Sequence, residues 1–269
     1  MLDNSVNPDL ECFEALPDTF KADGPTAGVI RTRMAQHIKT IQVVKYLRFT
    51  NVPPSVVERD FSKSTKMMYN YETRSLILKL VDGAHEALKA NIRTALTLAL
   101  YNTGLNWLII PTGSKRVRGG SCFKEPDESW VPRSHLPGRD MKWPTVVMEA
   151  GVSESIEKLK SDAVWWLANS VGQVKLVVIV SINQTSPEIT FQTIVLDTAT
   201  AIPTVRQSVT TSRVPKQPDA PITTSPAEPL IIRFEEMLCR QPVPPEQDLQ
   251  ISLGELETAS RYAWMEQQL

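Results

Sequence analysis

The segment from residue 145 to 182 constrains this chain most. It reads TVVMEA, then a helical stretch from Ser153 to about Ser170, then the nearly unbroken β-branched run VKLVVIVSI at 174–182. An apolar strand with no polar alternation must be covered on both faces, as strands of a parallel sheet are. Two such strands joined by a helix make a β-α-β unit, whose crossover is almost always right-handed. Gly172 supplies the natural stop for the helix. The unit also raises a chemical question. Glu149 closes the first apolar strand, and a buried charge costs several kcal/mol unless something compensates it.

The rest of the chain fits around this unit. RTRMAQHIKTIQVVKYLRF (31–49) carries Ile38, Ile41, Val44 and Leu47 at threefold spacing and predicts a helix that Pro53 and Pro54 end. RSLILKLV (74–81) alternates and predicts a strand. Leu88, Ile92, Leu96 and Leu100 line one face of a helix over 84–102. Short strands are expected at WLII (107–110) and in SCFKEPDESWVP, and ITFQTIVL (189–196) alternates like a peripheral neighbour. On the 153–170 helix, Ile156, Leu159, Ala163, Trp166 and Leu167 predict the buried stripe, while Glu154, Lys158 and Asp162 share another face. Ser252 followed by Glu255 opens the last helix with a capping box.

Interleaved strands and helices predict an α/β fold with a mixed sheet. Residues 1–30 read as a flexible arm, 31–201 as the core, and 202–229 as a Pro/Ser/Thr-rich flexible excursion. A C-terminal strand and helix, 230–269, are expected to pack on that core.

Composition excludes several classes. With 29 basic and 30 acidic residues the chain is not a polybasic coat protein. Three scattered cysteines give no disulfide framework and no CxxC pair, and His37, His85 and His135 have no zinc spacing. MLDNSVNPDLECFEALPD lacks the apolar stretch of a signal peptide, and no run approaches a membrane span. The expectation is a nuclear or cytoplasmic protein without a membrane partner. Phosphate loops, GxGxxG after a strand and GxSxG are absent.

The chemistry candidates are therefore carboxylates. Asp127 in EPDESW and Glu149 in TVVMEA are borne on strands, and together they would make a hard-oxygen site for Mg²⁺ or Mn²⁺. Glu86, on the 84–102 helix, is the natural third acid. Each has a plainer use. Asp127 could order a turn after Pro126, Glu149 could accept backbone amides of the next helix, and Glu86 could be solvated. Trp165 could stack on a base or pack in the interior. The run Lys115, Arg116, Arg118 is either a phosphate contact or a solvated loop.

Between about 70 and 200 the sequence resembles the PD-(D/E)XK superfamily of restriction-endonuclease-like nucleases, in particular a divergent branch found in fungal genomes. Pro126-Asp127 stands at its "PD" and Glu149-Ala150-Gly151 at its (D/E)-X-K. The resemblance implies a restriction-endonuclease-like mixed sheet flanked by helices, and a metal held by Asp127, Glu149, the Ala150 carbonyl and Glu86. It implies phosphodiester hydrolysis in nucleic acid. The chain departs from the pattern where it matters, because Gly151 replaces the lysine that orients water and stabilises developing charge. Lys158, one turn into the next helix, is the best stand-in and Lys160 the second. If neither serves, the implied alternative is a catalytically inactive module that binds nucleic acid, a protein partner or a second copy of itself.

Overall fold

The structure is a computed structural model and describes residues 9, 13, 19–39, 46–58, 65–152 and 156–269. These fall into two compact units, one of Met1–Asp82 with Lys115–Glu125 and the other of Gly83–Ser114 with Pro126–Leu269. The first contributes β1 (Thr19–Asp23), α1 (Ala27–Lys39), β2 (Tyr46–Thr50), α2 (Pro54–Val57), β3 (Thr65–Asn70) and β4 (Ser75–Leu80). The chain enters the second unit through α3 (Gly83–Asn102) and β5 (Ile109–Pro111). It returns to the first for β6 (Val117–Arg118) and β7 (Cys122–Lys124). The remainder lies in the second unit: β8 (Glu128–Pro132), β9 (Val146–Val152), α4 (Ile156–Asn169), β10 (Leu176–Ile182) and β11 (Glu188–Leu196). There follow β12 (Pro203–Ser212), β13 (Thr223–Ser225), β14 (Leu230–Ile232), α5 (Phe234–Leu238), β15 (Leu249–Ile251) and α6 (Leu253–Gln267).

Both large sheets are mixed. In the first unit the order is β1-β2-β4-β3-β7-β6, with β1 parallel to β2 and the other pairings antiparallel. Leu47, Phe49, Met67, Tyr69, Leu76, Leu78 and Phe123 form one apolar face, covered by Ile30 and Met34 of α1. In the second unit the order is β13-β12-β11-β10-β9-β8-β5, with β9 and β10 the parallel pair that the β-α-β reading demands. The expectation of an α/β fold, a mixed sheet flanked by helices, is met.

Strand alternation decides what each helix covers. Val146, Met148, Ala150 and Val152 of β9 share one core with Leu88, Ile92 and Leu96 of α3 and Leu256, Ala263 and Trp264 of α6. Val147, Glu149 and Gly151 therefore point to the other face, where α4 packs on β9 and β10. Each fully buried leucine or valine in these faces contributes roughly 1.5–3 kcal/mol by leaving water. Gly172 ends the connection after α4 with φ +77°, a value a β-carbon would resist. The Ser252–Glu255 capping box opens α6 as predicted, with Glu255 accepting the Ser252 N–H at 2.7 Å.

Three expectations are corrected. The helix read across 31–49 stops at Lys39, and Tyr46–Thr50 is a strand, because Leu47 and Phe49 alternate into the sheet core. Part of the 1–30 arm is β1, held by parallel pairing to β2. The 202–229 excursion contains β12 and β13, since its threonines and valines give β12 a full antiparallel ladder to β11. Ile41, Val44, Ser153 and Glu154, which the sequence reading used, lie outside the described residues. Among the described residues no helix is long and apolar enough to cross a membrane.

Candidate carboxylate site

Asp127 and Glu149 both belong to the second unit, and both are buried, at 1% and 2% exposure. Asp127 immediately precedes β8, whose antiparallel register sets Glu128 opposite Met148. One step further along that ladder, the Asp127 carboxylate enters the sheet edge, and its Oδ2 accepts the Ala150 N–H at 2.8 Å. His85, in the first turn of α3, brings Nε2 to 3.1 Å from the same oxygen. The backbone carbonyl of Asp127 accepts the Ser114 hydroxyl at 3.2 Å. The "PD" aspartate thus ties α3, β8 and β9 together.

Glu149 is engaged from the opposite side. It sits in the middle of β9, paired in register with Ile179 of β10, not at an open strand end as its place in TVVMEA suggested. Its Oε1 accepts the indole N–H of Trp166 at 2.6 Å. A hydrogen bond to a buried charge is worth roughly 1.5–3 kcal/mol, and this indole donor supplies compensation of the kind that the sequence demanded. Trp166 packs edge-on against Trp165 at 5.0 Å and Trp143 at 6.3 Å between ring centres. All three rings are buried, so Trp165 presents no surface on which a base could stack.

The assisting residues have partners of their own. Lys158 and Asp162, one helical turn apart on α4, are buried and form an ion pair with each other. The face expected to be polar is therefore sealed in the interior. Glu86 is half-exposed and holds Lys89 at 2.5 Å, with His85 Nδ1 3.4 Å away. The imidazole beside it, then Lys89, holds the Glu86 carboxyl down at about 2 against partial burial. Lys160 pairs with Glu157 at 3.8 Å on the surface of α4. Lys115, Arg116 and Arg118 lie in the first unit. Arg116 is bound to Glu125 at 2.8 Å and to the Val57 carbonyl at 3.0 Å, and it stacks over Phe123. Arg118 lies 4.3 Å from the ring centre of Tyr71, and Lys115 is exposed.

Sequence reasoning underrated His85, which completes a Glu86–His85–Asp127 series of close contacts. The signal was its position at the start of α3, one residue before the acid already singled out. Among the described residues no group of three or more His, Cys, Asp or Glu side chains is arranged to hold a metal ion.

No family model and no curated protein sequence matches the chain. Among solved structures the chain is similar to a nuclease candidate of the DUF820 family from Anabaena variabilis ATCC 29413. The similarity covers 76% of this chain and 96% of that one, at 11% identity and a TM-score of 0.44.

Proposed function

We propose that this chain is a nuclease-type fold whose acidic pair has been turned to structural use, and that it acts as a catalytically inactive module binding nucleic acid or a protein partner. One observation carries the reading. Both motif acids are buried and hydrogen-bonded inside the second unit, Asp127 to the Ala150 amide at 2.8 Å and Glu149 to the Trp166 indole at 2.6 Å. Helices on opposite faces of the sheet engage them, α3 through His85 and α4 through Trp166. Gly151 stands where the resembling nucleases carry their lysine, and the substitute Lys158 is paired with Asp162.

A second reading keeps the hydrolytic activity: Mg²⁺ or Mn²⁺ on Asp127, Glu149, the Ala150 carbonyl and Glu86, with Lys158 assisting. It is favoured by the Asp127–Ala150 bond, which brings one acid to the peptide next to the other. When bound, such an ion would supply an activated water and neutralise phosphate charge. As arranged, however, the described side chains do not converge as an ion-binding set.

Incubation of the full chain with single- and double-stranded DNA and RNA, in the presence of Mg²⁺ or Mn²⁺, separates the two. The inactive-module reading expects intact nucleic acid, with any binding seen only as a rise in fluorescence polarisation. Cleavage that disappears in both Asp127→Ala and Glu149→Ala would overturn it.

A further inference from the structure

The second unit holds a cavity of about 470 Å³, within the usual size of a small-molecule site, that is remote from the carboxylates. Lys175, which lines it, directly precedes β10. Glu149 is in register with Ile179, four positions further on, so Lys175 and the cavity it lines lie about 13 Å down the strand, at the amino end of β10.

Four cationic side chains line the cavity, Lys175, Arg206, Arg233 and Arg240, against two acids, Glu235 and Glu236. They divide into a tightly paired frame, Arg206 and Arg240, and two more loosely held cations, Arg233 and Lys175. Arg206 is ion-paired with Glu236 and donates to the Ile231 carbonyl at 2.9 Å. Arg240 grips Glu246 with two nitrogens at 2.5 and 2.6 Å and lies over the Phe234 ring. Arg233 is half-exposed, only 4.0 Å from a Glu235 whose other oxygen takes the Gln241 amide at 2.6 Å. Lys175 is exposed and has no acidic partner among the described residues. Val195 and Leu196 supply an apolar wall and Thr198 a hydroxyl.

We infer that this cavity binds a small organic phosphate, its phosphate held between Lys175 and Arg233 and its body against Val195 and Leu196. A guanidinium takes two oxygens of a phosphate at once, and an ammonium beside it adds a compact second charge. Because the frame residues are already neutralised within the fold, the ligand meets a net positive rim without having to break the pairs that hold α5 in place. The apolar wall makes an ester with a hydrophobic body a better occupant than the bare ion.

Adenosine 5′-monophosphate serves as the probe, with adenosine and inorganic phosphate as controls, on the full chain. Two readouts apply. One is the thermal midpoint. The other is the rate of alkylation of Cys239, a free thiol that lines the same cavity, followed by mass spectrometry of its peptide. The expected result is a saturable rise in midpoint and at least a fivefold slowing of Cys239 alkylation. Both should weaken at high salt and be lost in Lys175→Ala and Arg233→Ala, whose exposed side chains can be removed without unfolding the protein. No saturable effect, an equal effect from adenosine or from inorganic phosphate, or an effect unchanged in the two variants would overturn the assignment.

Discussion

Replacing Trp166 by phenylalanine and Glu149 by glutamine, singly and together, measures what the buried carboxylate does for the fold. Trp166→Phe removes the indole N–H that Glu149 accepts at 2.6 Å and leaves a charge at 2% exposure short of a donor. The lost charge-assisted bond costs roughly 1.5–3 kcal/mol. The missing part of the ring, in a cluster packed against Trp143 and Trp165, adds about 1–2 kcal/mol. The single variant should therefore lose about 2.5–5 kcal/mol, or roughly 2–4 °C of midpoint per kcal/mol in a protein of this size. Glu149→Gln removes the charge but keeps the shape and should cost less. In the double variant the charge is no longer stranded, so the two losses should fall short of adding by about 1.5–3 kcal/mol. Urea unfolding followed by far-ultraviolet circular dichroism reads this without depending on the altered tryptophan signal. A coupling below about 0.5 kcal/mol, or a Glu149→Gln protein more stable than the parent, would refute the reasoning. The latter is what an acid kept for an ion, at the expense of the fold, would give.

Three further outcomes follow from the same geometry. Lys158→Ala strands Asp162 at 3% exposure and should destabilise by about 3–5 kcal/mol, whereas Lys158→Met with Asp162→Leu should recover most of that loss in the same urea titration. Glu86 is held at about 2, below its ordinary 4.5, so its contribution is present above pH 4.5 and fades as pH falls toward 2. Thermal midpoints of Glu86→Gln and the parent should differ near pH 6, by the equivalent of about 1 kcal/mol at most for so exposed a group, and converge near pH 2. Asp127→Ala frees the Ala150 amide and should cost about 1–3 kcal/mol, with faster hydrogen exchange at Ala150 as its signature.

The β-α-β unit was legible because its chemistry is redundant. VKLVVIVSI has no face on which to meet water, and outside that unit Leu88, Ile92, Leu96 and Leu100 recur every four residues along α3; all four are buried. β12 was hidden by the prolines of the 202–229 segment around it, although Val209 and Thr211 alternate into the core as a strand requires. The split into two units was not legible, because Lys115–Glu125 leaves its sequence neighbours to complete the first sheet through β6 and β7. The two acids could be singled out from the sequence, but their hydrogen-bond partners could not. Glu149 demanded a partner, yet Trp166 stands 17 positions away and reaches it only because α4 folds back over β9. Lys158 and Asp162 looked like an exposed pair at helical spacing, and only the packing of α4 seals them.

Titration of the full chain with Mn²⁺ by isothermal calorimetry and thermal midpoint tests the structural use of the acids most directly. With Asp127 and Glu149 committed to Ala150 and Trp166, no saturable one-site heat and no rise in midpoint are expected up to millimolar ion. A saturable site that vanishes in both Asp127→Ala and Glu149→Ala would contradict the account and restore the hydrolytic reading.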